Sequence, residues 1–101
     1  MALNKYATIR YRVIDRCIRS KSHPYPSKEK LRQACEEELY GSSTGIHISI
    51  STIEKDLWAL KNESSLGYAP IIYDKANNGY YYSDKNFSLD LPLNEEDIEL
   101  I

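Results

Sequence analysis

Ser49, Thr52, Ile53, Asp56 and Leu57 stand in the pattern Ser-x-x-Thr-Ile-x-x-Asp-Leu. Projected at about 100° per residue, Ile50, Ile53, Leu57 and Leu60 fall on one side of a helix. Ser51, Lys55, Trp58 and Asn62 fall on the other, with Thr52 and Glu54 beside them. The outer residue types suit recognition of a polyanion. Ser49 caps the helix and leaves its N-terminus open to a phosphate. The hydroxyls of Ser51 and Thr52 are short enough to approach base edges, Lys55 supplies a cation, and Glu54 can accept from a cytosine amino group.

Chemistry of other kinds finds no support. No nucleophile–base–acid grouping and no glycine-rich phosphate loop occurs, so no enzyme activity is expected. Glu36, Glu37 and Glu38 follow one another within a helical stretch and read as a solvated face rather than paired catalytic acids. Cys17 and Cys35 lack CxxC spacing and fall on apolar stripes, so they are expected as reduced, buried small residues, with no metal and no cofactor. His23 and His47 read as loop residues without an apparent partner.

Three helices and a hairpin position the outer face. Residues 4–20 form a helix with an apolar arc of about 200°, Arg10 lying inside it and Arg12, Arg16 and Arg19 sharing the polar strip with Thr8 and Asp15. Tyr6, Ile9, Val13 and Cys17 centre the arc. So wide an arc fits packing on two sides, or packing on one and an interface on the other. His23-Pro24-Tyr25-Pro26 stops this helix. Ser27 caps a second, running to about Tyr40 with Leu31, Ala34, Cys35 and Leu39 inward, and Gly41 ends it. Residues 50–64 form the third. Gly67 closes the helical pattern, and residues 70–74 and 80–83 read as strands around a 75–79 turn. Its Asn78-Gly79 pair tolerates positive φ.

Helix, helix, helix, hairpin is the order of a winged helix-turn-helix, a mainly α fold whose last helix enters the major groove. Lys28, Arg12 and Arg16 are then candidates to hold the DNA backbone. At the wing tip Lys75, Asn77 and Asn78 fit phosphate or minor-groove contacts, or plain turn chemistry. Tyr80 and Tyr82 alternate onto one hairpin face and Tyr81 onto the other, which fits packing better than base stacking. Trp58 reads as packed against the linker or another subunit, with contact to DNA sugar and phosphate as the other possibility.

The 101-residue chain has a formal net charge of −2, which taken whole argues against a nucleic-acid partner. The distribution reverses that inference. Residues 1–35 hold nine Lys and Arg against two acids, and residues 36–101 hold four Lys against 13 acids. No apolar run approaches the roughly 18 residues of a membrane helix, so no membrane partner and a cytoplasmic location are expected.

The sequence also resembles the N-terminal DNA-binding domain of WYL-domain transcriptional regulators, in a Bacteroidetes-type form. The likeness rests on Asn4-Lys5-Tyr6-Ala7, Arg10-Tyr11, Ile14-Asp15-Arg16-Cys17, Leu31, Ala34-Cys35 and Tyr40. It continues through Ser49, Thr52-Ile53, Asp56-Leu57, Gly67-Tyr68, Ala69-Pro70-Ile71 and Tyr80-Tyr81-Tyr82. Relatives tend to carry basic residues just after the cap serine, where this chain has Ile50 and Ser51. The 41–48 turn is also longer than a usual helix-turn-helix turn.

The resemblance implies a DNA-binding domain over residues 1–83 of a bacterial transcription regulator, acting as a homodimer on double-stranded DNA. Residues 84–101 would form a linker over 86–93 and a helix start capped by Asn94. They would lead to a C-terminal sensor domain, absent from this chain, through which alone a small-molecule or nucleotide ligand would act. The alternative from another class is a winged-helix protein-interaction or dimerisation module without DNA readout.

Overall fold

The computed structural model describes residues 5–89 and 91. Helices α1 (Lys5–Ile18), α2 (Lys28–Tyr40) and α3 (Ile50–Asn62) precede a single 3-10 turn, Ser64–Leu66. An antiparallel hairpin follows, β1 (Ile71–Asp74) and β2 (Gly79–Tyr82), with Ile71 opposite Tyr82 and Asp74 opposite Gly79. This is the expected three-helix, two-strand arrangement. The third helix stops at Asn62, earlier than expected: Glu63 N–H closes the last helical bond on Ala59, Glu63 itself turns extended (φ −101°, ψ 130°), and Ala69 N–H bonds to the carbonyl of Leu60 as the chain heads toward the sheet. The Asn94 helix start lies outside the described residues.

The predicted caps form. Ser27 Oγ accepts from Lys30 N–H at 3.1 Å, and Gly41, at φ +70°, closes α2 on the carbonyl of Glu37. Ile14 of α1, Leu31 of α2, Ile53 and Leu60 of α3, Leu66 and Ile71 of β1 fill the middle of one core. Phe87 packs edge-on against Tyr82, and Leu91 is buried, so the chain beyond the hairpin returns to that core.

On α1 the polar strip is not wholly solvated. Thr8 and Asp15 are buried, whereas Tyr6, expected at the centre of the apolar arc, is exposed and Cys17 is half-buried. Asp15 is buried because it has partners. Tyr82 Oη donates to its Oδ1 at 2.7 Å, and Arg19 Nε and Nη2 reach its Oδ2 at 3.1 and 3.0 Å. This arrangement joins α1 to β2. Arg10, inside the apolar arc, is explained in the same way by a two-pronged bond to Asp56 of α3, at 2.6 and 3.1 Å. Burial pushes the Asp56 carboxyl upward and Arg10 opposes it.

The segment between α1 and α2 docks on the hairpin. Tyr80 N–H donates to the carbonyl of Pro26 at 2.9 Å, and the rings of Tyr25 and Tyr81 meet edge-on at 5.8 Å. Gly79 is placed by this docking and not by positive φ, which only its neighbour Asn78 adopts (φ +55°). A Cβ at Gly79 would overlap the carbonyl of Tyr25 and stand 2.9 Å from that of Pro26. The three tyrosines pack as expected, Tyr82 inward, Tyr81 on Tyr25 and Tyr80 edge-on to Tyr73.

Candidate nucleic-acid interface

The turn that leads into α3 is gathered by a carboxylate that the sequence pattern assigns to solvent. Glu36 is fully buried. Its Oε1 accepts from Gly45 N–H at 2.8 Å and from Arg32 Nη1 at 3.1 Å. Its Oε2 accepts from His47 N–H at 2.8 Å and Ile48 N–H at 3.0 Å. Arg32, also buried, reaches the carbonyls of Ile48 and Ser43 and pairs with Glu29 on the far side. The long 41–48 turn thus has an anionic centre that collects its N–H groups, and Ile48 leads directly into the Ser49 cap. His47 is not without a partner, since its ring stacks on Tyr40 at 4.3 Å; His23 Nδ1 lies 3.1 Å from Ser22 Oγ.

Burial alone would raise the Glu36 carboxyl. The three backbone donors and Arg32 outweigh that and hold it down at about 2. In the unfolded chain a glutamate titrates near 4.3. Because the folded value is the lower one, the stabilisation is complete above the unfolded value and is lost as pH falls through the folded one. The melting temperature is therefore expected to drop between about pH 5 and pH 2, more steeply than in Glu36→Gln. Equal slopes by circular dichroism would remove Glu36 from this role.

At the N-terminus of α3, Ser49 Oγ accepts from Thr52 N–H at 3.3 Å and lies 3.0 Å from Ser51 Oγ and 3.2 Å from Thr52 Oγ1. Ser51 is exposed and Thr52 half-buried. Lys55 and Lys61 are exposed, and neither has an ion pair among the described residues. Lys28 and Glu54 are brought together, Nζ to Oε2 at 2.7 Å, so two side chains read as separate DNA contacts satisfy one another. The bond to Glu54, first among the causes, holds the Lys28 ammonium above the ordinary lysine value.

Trp58 is 62% exposed, so no described residue of the linker covers it, and packing against another subunit is left as the other half of that expectation. With Glu54, Lys61 and Asn62 it lines a shallow groove toward Ile71 and Tyr80 of the hairpin. Lys61 is the residue that spacing analysis missed. It stands outside the 51-55-58-62 row, and only the sheet beside it shows that it shares the groove.

At the wing tip Asp74 organises the turn: Oδ1 accepts from the N–H groups of Ala76 (2.8 Å) and Asn77 (3.3 Å), and Oδ2 from Asn77 Nδ2 (2.9 Å). Asn77 is therefore occupied with turn chemistry, while Lys75 and Asn78 are exposed. Arg12 and Arg16 do not join this face. They line a groove with Tyr6, Ile9 and Leu39, Arg16 pairing with Glu38 at 3.4 Å. The nine cations of residues 1–35 are thus divided: Arg10, Arg16, Arg19, Lys28 and Arg32 are in ion pairs, and Lys28 alone of these meets the outer side of α3.

Among the described residues there is no cluster of three or more His, Cys, Asp or Glu side chains that could hold a metal, and no helix long and apolar enough to cross a membrane. Residues 6–84 match the family model described as the N-terminal winged helix domain of WYL domain-containing proteins. Neither a curated protein nor a solved structure matches the chain.

Proposed function

The chain belongs to the WYL domain-containing protein family, as its N-terminal winged helix domain, and from that premise we propose that it reads duplex DNA in a bacterial, cytoplasmic transcription regulator. Helix α3 lies in the major groove and the hairpin on the flanking backbone. One observation carries the reading: Ser51, Lys55 and Trp58 form an exposed row on α3, and neither cation on that face of the helix, Lys55 or Lys61, has an ion pair among the described residues. Ser51, Thr52 and Lys55 contact bases or adjacent phosphates, and Ser49 caps the helix. Lys28 exchanges Glu54 for a phosphate, leaving Glu54 to accept from a cytosine amino group. Lys75 and Asn78 approach the backbone, with Asn77 shaping the turn. Arg12 and Arg16 face another groove and take no part.

A domain of this size binds weakly alone, so the proposal includes a homodimer on a two-fold site. Residues 84–101 then lead to a ligand-sensing domain.

Fluorescence anisotropy with mixed-sequence duplex of about 20 base pairs tests the reading. Binding is expected at about 50 mM salt, weakening steeply as salt rises. Lys55→Ala is expected to weaken binding, lower the salt slope by about 1 and alter sequence preference. Lys28→Ala is expected to weaken all sequences alike, since a phosphate contact carries no base information, and by less, because Lys28 must first give up its ion pair with Glu54. Absence of binding at low salt would favour the protein-interaction module, for which the groove of Tyr6, Ile9 and Leu39 on α1 and α2 offers a surface.

A further inference from the structure

Trp58 is the chain's only tryptophan, and it projects from the middle of α3 among exposed polar groups. Tryptophan is enriched at contact surfaces and among the residues that dominate their binding energy. Ser51, Lys55, Trp58 and Asn62 lie within an arc of about 60° on the helix, and Lys55 and Trp58 are about one turn apart. Whatever surface engages the Lys55 ammonium therefore also meets the indole. An apolar protein partner would have to desolvate Lys55 and Lys61 without compensating charge, which is costly. The major groove of duplex DNA supplies the counter-charge, and its one apolar group at a base edge is the thymine methyl.

We propose that Trp58 is a specificity-determining residue that packs against the 5-methyl group of thymine, selecting A·T pairs at one or two positions of the site. This rests on the DNA-binding reading above. Lys61 supplies charge that is indifferent to sequence, and the indole adds to the Lys55 contact a discrimination that salt does not screen. The Asn62 side chain bonds to the Trp58 carbonyl at 2.8 Å, so the neighbour that follows in the row is turned to the backbone and does not compete for the same base.

The experiment replaces thymine by deoxyuridine, which removes the methyl and nothing else. Duplexes are first selected from a randomised library with the wild-type chain, and each thymine of the selected site is then substituted singly. Loss of about fourfold in affinity is expected at one or two thymines, the value of one buried methyl group. Trp58→Ala is expected to bind thymine and deoxyuridine duplexes alike, and Trp58→Phe to keep part of the difference. Because Trp58 is exposed, both variants are expected to melt with the wild type, and wild-type indole emission is expected to change on adding duplex.

Several results would overturn the proposal while leaving DNA binding intact. These are wild-type binding that ignores every substitution, Trp58→Ala retaining the wild-type difference, or Trp58→Ala weakening all duplexes equally. So would a dimer that forms without DNA and is lost in Trp58→Ala. No duplex binding by the wild type at about 50 mM salt would instead overturn the underlying reading and this proposal with it.

Discussion

Glu36→Ala is expected to lower the melting temperature by roughly 10 °C or more, among the largest effects available to a single substitution in a domain of this size. The substitution strands the N–H groups of Gly45, His47 and Ile48 in a buried site and leaves the buried Arg32 with only Glu29 as a counter-ion. Breaking one side of a buried charge network costs far more than the network's net value, because the remaining groups have lost their water as well as their partner. Glu36→Gln keeps one carbonyl acceptor and is expected to fall between. Amide exchange reads the mechanism directly: protection at Gly45, His47 and Ile48 should fall first. Wild-type melting with those three amides still protected would show that the turn holds itself. Since Ile48 precedes the Ser49 cap, Glu36→Ala should also weaken DNA binding.

The second large effect belongs to the wing. Gly79→Ala is expected to destabilise the domain by about 3 kcal/mol, measured by equilibrium denaturation. The new Cβ meets the backbone carbonyls of Tyr25 and Pro26, which no rotamer change can move aside. Relief requires parting β2 from the 25–27 segment, with loss of the Tyr80 N–H bond to Pro26 and the Tyr25–Tyr81 contact. Gly41→Ala is the control. Its φ is +70° but a Cβ there has nothing within 4 Å, so strain alone should cost about 1 kcal/mol. Equal costs at the two positions would mean that Gly79 matters only through conformational freedom.

Much of the architecture is legible along the chain because it is set by local signals. Ser27 and Ser49 cap, Gly41 terminates, and the Asp74–Gly79 connection turns, each through bonds spanning four residues or fewer. The misreadings share one cause. Glu36 looked solvated because it sits among glutamates at helical spacing, and only the 41–48 turn folding over it supplies the donors that make its burial favourable. Asp15 is the same case, its partner Tyr82 lying 67 residues away, and the place of Arg10 inside the apolar arc is likewise explained only by Asp56, 46 residues away. The Asn78-Gly79 pair signals a turn, whereas the chain that crowds Gly79 is the 25–26 segment, more than fifty residues earlier.

The candidate face divides along the same line. Periodicity alone placed Ser51, Lys55 and Trp58 in one outward row, since the rotation per residue of a helix is constant whatever surrounds it. It could not say that Lys28 reaches Glu54, that Lys61 shares a groove with Tyr80, or that Arg12 and Arg16 stand apart. Those relations depend on the angles at which helices and hairpin meet, and charge counted along a chain carries no such angles. The sequence by itself determined the elements, their order and which side of α3 faces out. The packing of helices and hairpin settles which charges cancel in pairs and which stay unpaired among the described residues, because an ion pair depends on a distance of a few ångströms in space.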